Sequence, residues 1–187
     1  MYLTFAASIL LGTYLVYVGG VPILVIGLLS VASGIAYTGG PYPLGYHGLG
    51  DLFVFVFFGL VAVAGTYYVQ AAATLAAPLS VGIPPGTLPV AAVVAALPVA
   101  ALSTDILVVN NVRDKDEDAT TGKRTLAVRF GHGLARAQFV AMLVLAYAVP
   151  LWFLLRPNYS VAVALPYLTL PYTATITRTM LTETAGE

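Results

Sequence analysis

The chain has 187 residues, of which 59% are hydrophobic and only 9% charged, and its net charge is zero. A soluble domain carries about 25% charged residues, so this composition excludes a water-covered globule and points to the bilayer as solvent. Cysteine is absent, which excludes a disulfide framework and a thiolate metal site.

Six apolar segments are long enough to be read as membrane helices, each near the roughly 17–25 residues that a span needs: 2–19, 21–37, 51–75, 88–111, 135–155 and 159–177. The fold class expected is therefore all-α, a polytopic helical bundle forming a single membrane domain over 1–187. The opening stretch MYLTFAASILLG has no basic flank and runs on into apolar sequence, so a membrane helix is expected there and not a secretory signal. Gly19, Gly20 and Pro22 part the first two segments and predict a tight helical hairpin. Pro98 and Pro150 are expected to kink their helices, and Pro166 with Pro171 to break the last one, because each removes a backbone donor.

The charges are placed unevenly. Nothing charged precedes Asp51, nothing basic precedes Arg113, and ten of the sixteen charged side chains fall between Arg113 and Arg136. An excess of Lys and Arg marks cytoplasmic loops, which puts the 112–135 loop inside. Alternation then places the 38–50 loop, TGGPYPLGYHGLG, on the same face, with the 76–87 loop outside. Two elaborate loops on one face predict one site beneath both. Asp51 reads as a charge at the start of the third helix.

The stretch NNVRDKDEDATTGKRTLAVRFG (110–131) holds the chemistry. If the fourth helix continues past the membrane, Asn110, Asp114 and Asp118 are spaced by four and drift only about 40° per step, so they share a face. One amide and two carboxylates are hard oxygen donors of the kind Mg²⁺ takes, with water and phosphate completing its shell. Lys123 and Arg124 can neutralise phosphate oxygens, and Gly122 lets the backbone turn sharply. A mixed-charge loop also reads as a solvated, topogenic segment. Tyr67, Tyr68 and Gln70 in the third segment are candidates for an acceptor pocket, as are Asn111 and the loop residue His47, a possible acid or base. Asp105 lies about half a turn away from the Asp114 face, and an intramembrane carboxylate is a functional candidate by default.

At these residues the chain resembles the UbiA superfamily of intramembrane prenyltransferases, nearest its MenA branch, which prenylates 1,4-dihydroxy-2-naphthoate in menaquinone or phylloquinone biosynthesis. The matching segments are NNVRDKDEDATTGKRTLAVRFG (110–131), YTGGPYPLGYHGLGDLFVFVFFG (37–59) and GTYYVQ (65–70). The resemblance implies about nine helices around a lipid-open cavity, and two Asp-rich motifs that hold Mg²⁺ against a polyprenyl diphosphate. Asn110, Asp114 and Asp118 match the second motif as metal ligands, with Asp114 and Asp118 catalytic. Arg113, Lys123 and Arg124 match its diphosphate-binding partners, and the 38–50 loop matches a cytoplasmic cap. No residue before Asp51 can supply the first motif, so a fragment lacking two upstream helices is expected, inactive when alone. The expected partners are the polyprenyl diphosphate, the aromatic acceptor dihydroxynaphthoate and the lipid bilayer, with no nucleic acid; the expected location is a prokaryotic plasma membrane. The other readings are a related enzyme that prenylates 4-hydroxybenzoate, homogentisate or a glycerol phosphate lipid, a transporter, and a non-catalytic remnant.

Overall fold

The computed structural model describes residues 2–39 and 43–183. Gly40, Pro41 and Tyr42 of the 38–50 loop lie outside them. Among the described residues every regular element is helical. In chain order they are α1 (Tyr2–Thr38), a 3₁₀ turn (Leu44–His47), α2 (Gly50–Leu75), α3 (Val90–Arg113), α4 (Lys115–Thr120), α5 (Leu126–Leu154), a second 3₁₀ stretch (Val161–Thr169) and α6 (Leu170–Thr182). Among the described residues four helices are long and apolar enough to cross a membrane: most of α1, and all of α2, α3 and α5.

Six segments reduce to four long helices for two reasons. The first two segments form one element broken at Gly20, whose φ of 70° and ψ of −158° lie outside the helical region. Its halves, residues 2–19 and 21–38, are each about 27 Å long at ~1.5 Å per residue, close to the ~30 Å hydrocarbon thickness. The sixth segment is short and irregular: Pro166 lies inside the 3₁₀ stretch and Pro171 starts α6, which has 13 residues. Proline is tolerated there because the first-turn N–H has no helical partner in any case.

The breaks in the long helices fall on glycines and not on Pro98 or Pro150. Both prolines sit inside helices, whereas non-helical backbone occurs at Gly20 and at Gly131, where φ is 79°. Positive φ is accessible to glycine without steric penalty. Gly131 separates a short turn next to the charged loop from the membrane-crossing part of α5. Within α2 the stretch Val54–Val61 winds as a π-helix, a feature that apolar sequence does not signal.

α3 sits at the centre, packed mainly on α5 and on the π-helical part of α2. The reason is a four-residue repeat of buried small side chains along it: Ala92, Ala96, Ala100, Thr104, Val108 and Val112. A repeat of four drifts about 40° per step on a helix of ~3.6 residues per turn, so the stripe curls around α3 and meets different neighbours along its length. Ala100 meets Gly59 of α2 so closely that a Cβ on Gly59 would overlap it. Val108 and Val112 instead join Ala127, Ala135, Phe139 and Met180 in one apolar cluster. Small residues permit this approach, as membrane helix packing requires.

The ends of the helices sort into two groups. At one end the Val21 N–H donates to the Ser80 carbonyl (2.9 Å) and the Leu79 N–H to the Tyr17 carbonyl (3.0 Å). At the other end the Arg124 N–H donates to the Tyr46 carbonyl (2.8 Å). The 43–49 and 114–125 loops therefore lie together, as charge alternation predicts.

Candidate functional site

The site is built at the C-terminal end of α3. The helix ends at Arg113, and Asp114 leaves helical geometry with φ −92° and ψ 9°. Backbone hydrogen bonds of four-residue spacing continue across this break. The Asp114 N–H donates to the Asn110 carbonyl (2.9 Å) and the Asp118 N–H to the Asp114 carbonyl (2.8 Å), the four-residue step of an α-helix.

Each carboxylate has its own cation. The Arg113 guanidinium grips Asp114 in a two-point pair, Nε to Oδ1 at 2.6 Å and Nη2 to Oδ2 at 2.8 Å. That pair is partly open to water. The hydrogen bond from Arg113 holds the Asp114 carboxyl below the ordinary carboxylate value. Asp118 is buried, and its Oδ1 accepts from Lys123 Nζ at 2.8 Å. That hydrogen bond holds the Lys123 ammonium above the ordinary lysine value. Asp114 and Asp118 thus differ in exposure and in partner, which a single shared face did not anticipate.

The chain turns back at Gly122, where φ is 80°, and the Lys123 N–H closes the turn on the Asp118 carbonyl (2.9 Å). Thr125 then caps α5 by accepting from the Val128 N–H (3.3 Å), a standard use of Thr before a helix. In Gly-Lys-Arg-Thr, glycine makes the turn, lysine faces Asp118, arginine joins the other loop through its N–H, and threonine starts the next helix.

The 43–49 loop covers this turn. Gly48 has φ 76°, and a Cβ there would come within 2.8 Å of the Arg124 carbonyl oxygen. Lys123 Nζ stands 6.0 Å from the centre of the Tyr46 ring. His47 is half-buried, with Nδ1 2.8 Å from the Pro43 carbonyl. Below the loop, Asn111 Nδ2 donates to Oδ1 of the buried Asp51 (3.3 Å).

Three pocket candidates fall elsewhere. Tyr68 is buried and its hydroxyl donates to the Gly19 carbonyl (2.7 Å), pinning the break in α1. Seventeen residues of helix separate it from Asp51, about 25 Å along the axis. Tyr67 and Gln70 are exposed on the same far portion of α2. The apolar cavity nearest the loops lies between α1 and α2 instead. It measures about 640 Å³ and is lined by Ser30, Gly34, Tyr37, Phe53, Phe57 and Ala62, among others. Tyr37 and Asp51 are the residues that sequence reasoning undervalued. The signal available was their position, flanking the 38–50 loop on either side.

Among the described residues no three His, Cys, Asp or Glu side chains stand together as a metal cluster. The donor set of Asn110, Asp114 and Asp118 still fits Mg²⁺ chemically, because that ion uses one or two carboxylates and fills its shell with water and phosphate. Asp105 is buried in α3 with both carboxylate oxygens lacking a hydrogen-bond partner, and it stands apart from this set.

The chain is similar to several known proteins. The chain is 36% identical to the 1,4-dihydroxy-2-naphthoate octaprenyltransferase of Haemophilus influenzae, over 76% of this chain and 44% of that protein. It is 38% identical to the protein of the same name in Mycobacterium tuberculosis, over 75% of this chain and 44% of the relative. It is 34% identical to UbiA prenyltransferase domain-containing protein 1 of Danio rerio, over 84% of this chain and 39% of the relative. The chain thus spans less than half the length of these relatives. No solved structure matches it. The profile of the UbiA prenyltransferase family matches residues 1–184, and the chain, an integral membrane protein with four apolar helices of spanning length among its described residues, belongs to that family.

Proposed function

We propose that this chain provides the second acidic wall of a Mg²⁺-dependent prenyltransferase that joins a polyprenyl group to 1,4-dihydroxy-2-naphthoate. The observation that carries the reading is the arrangement at the end of α3. Two carboxylates one helical step apart, each neutralised by a cation, lie under a loop that Arg124 ties down. The names of the bacterial relatives supply the acceptor.

Asp114 and Asp118, assisted by Asn110, would hold the metal. When bound, Mg²⁺ supplies positive charge to the diphosphate oxygens as the carbon–oxygen bond breaks. Lys123 and Arg124 bind those oxygens as negative charge grows on the leaving diphosphate, which is the charge a fixed cationic clamp stabilises. Arg113 keeps Asp114 ionised and turned toward the ligand side. The apolar cavity beside Tyr37 takes the start of the prenyl chain and keeps water from the reacting carbon. The electron-rich acceptor ring forms the new carbon–carbon bond, diphosphate leaves with the bonding pair, and the acceptor carboxyl departs as carbon dioxide. The loops 38–50 and 112–135 face the cytoplasm in this reading, consistent with the excess of Lys and Arg, and the membrane is a prokaryotic plasma membrane.

The test is an assay of the complete gene product in lipid bilayers, with dihydroxynaphthoate or 4-hydroxybenzoate as acceptor, with and without Mg²⁺. Transfer to the naphthoate alone, dependent on Mg²⁺ and abolished by Asp114→Asn and by Asp118→Asn, is expected. Full Mg²⁺-dependent turnover by Asp114→Asn removes the metal-ligand assignment. Transfer to hydroxybenzoate in its place removes the acceptor.

A further inference from the structure

We infer that Asp51 is a positioning residue for the diphosphate wall, acting through Asn111 on the end of α3; this rests on the function proposed above. Asp51 is only 6% exposed. Its carboxylate accepts from Asn111 Nδ2 of α3 at 3.3 Å, and the Gln138 side chain of α5 lies near the same group. One buried carboxylate thus joins α2 to α3, with α5 alongside. An ionised carboxylate offers two oxygens and only accepts, so it can satisfy two amide donors at once.

The location gives this joint its leverage. Asn111 follows Asn110 directly and precedes Arg113 by two residues, so whatever fixes Asn111 fixes the turn of helix that presents the acidic wall. Asp51 also lies three residues after Gly48, whose backbone presses on the Arg124 carbonyl. A cavity of only about 20 Å³, bounded by Tyr37, Gly48, Asp51, Asn111 and Thr125 among others, connects the joint to both loops. The carboxylate is engaged by the Asn111 amide, and its role is to hold other groups in place.

Asp51→Asn keeps one acceptor oxygen but puts an amide donor in place of the other and removes the charge that strengthens the contact. Asp51→Asn combined with Asn111→Asp restores one carboxylate and one amide at the same contact with their positions exchanged. The experiment measures prenyl transfer by the complete gene product in bilayers for the wild type, Asp51→Asn and the exchanged pair. The same three backgrounds also carry Tyr46→Cys with Arg124→Cys, and disulfide formation between these positions reports the loop contact. The chain has no cysteine of its own, so within this chain that bridge is the only one possible.

Asp51→Asn is expected to lower turnover about 10–100-fold, the range seen when an outer partner of a ligand residue is lost, and to slow bridge formation. The exchanged pair is expected to recover most of both. Unchanged turnover and bridging in Asp51→Asn overturns the inference. So does a loss that the exchange leaves unrepaired, since the carboxylate would then be needed at position 51 itself. If the wild type transfers no prenyl group, the proposed function fails, and the bridging measurement alone still decides whether Asp51 positions the loop pair.

Discussion

Lys123→Met tests the electrostatics of the candidate site in one step. The substitution keeps much of the side-chain length and removes the cation that faces Asp118. The Asp118 side chain is 7% exposed and that of Lys123 is 40% exposed, so the pair straddles the protein surface. Breaking a fully buried pair costs about 3–5 kcal/mol, whereas an exposed pair contributes about 0.2–1 kcal/mol. Water reaches Lys123 and screens the interaction, which places the expected loss near 1–2 kcal/mol, a factor of roughly 5–30 in the folding equilibrium. The main-chain turn is held separately, by the Lys123 N–H and the Thr121 hydroxyl on the Asp118 carbonyl, so the loss is electrostatic in origin. The assay is reversible unfolding in mild detergent, as a double-mutant cycle with Asp118→Asn, repeated across alkaline pH. The hydrogen bond to Asp118 raises the Lys123 pKa above its ordinary value of 10.5. A raised lysine pKa means the pair contributes fully below the unfolded-state value and loses that contribution as pH rises through the folded-state value. The wild type should therefore lose stability above about pH 10.5 in a way that Lys123→Met does not. No coupling in the cycle, together with identical alkaline profiles, would refute the reasoning.

Two further outcomes follow from packing. Gly59→Ala forces a methyl group into the side chain and backbone of Ala100 and should destabilise the protein by about 1–3 kcal/mol, with Ala100→Gly restoring little of the loss because the backbone contact remains; thermal unfolding in detergent measures both, and a neutral Gly59→Ala contradicts the contact. Tyr68→Phe leaves the buried Gly19 carbonyl without its donor, a loss of about 1–3 kcal/mol. It should leave prenyl diphosphate binding unchanged, because Tyr68 lies at the far end of α2 from the loops; a binding defect in Tyr68→Phe would return this tyrosine to the pocket.

Much of this architecture can be read from residue order because membrane helices obey simple rules. Length and apolarity locate α2, α3 and α5, and the Lys and Arg excess pairs the two loops that meet through Tyr46 and Arg124. The turn at Gly122 and the acidic–basic composition around it are local, so spacing reveals them. What spacing could not reveal depends on partners far away in sequence. The first break lies at Gly20 because the Ser80 loop and the Tyr68 hydroxyl meet the backbone there. Tyr68 bonds the Gly19 carbonyl across 49 positions of chain, which no local pattern signals. Asp51 looks like a helix-start charge, and only the tertiary fold brings Asn111 and Gln138 to it. Pro98 and Pro150 sit inside α3 and α5, where neighbouring helices can accommodate the backbone groups a proline frees, and the non-helical residues are glycines. The pairing of Asp114 with Arg113 and of Asp118 with Lys123 likewise depended on how the chain turns after Asp114.

In the proposed function, residues 110–125 form a wall that binds prenyl diphosphate with Mg²⁺. Equilibrium binding of a non-hydrolysable prenyl diphosphate analogue to the complete gene product in nanodiscs, with and without Mg²⁺, tests it most directly. Binding is expected to need Mg²⁺ and to weaken at least about tenfold, or ~1.4 kcal/mol, in both Asp118→Asn and Lys123→Met. Binding of equal strength in wild type and both variants, or binding indifferent to Mg²⁺, would contradict it.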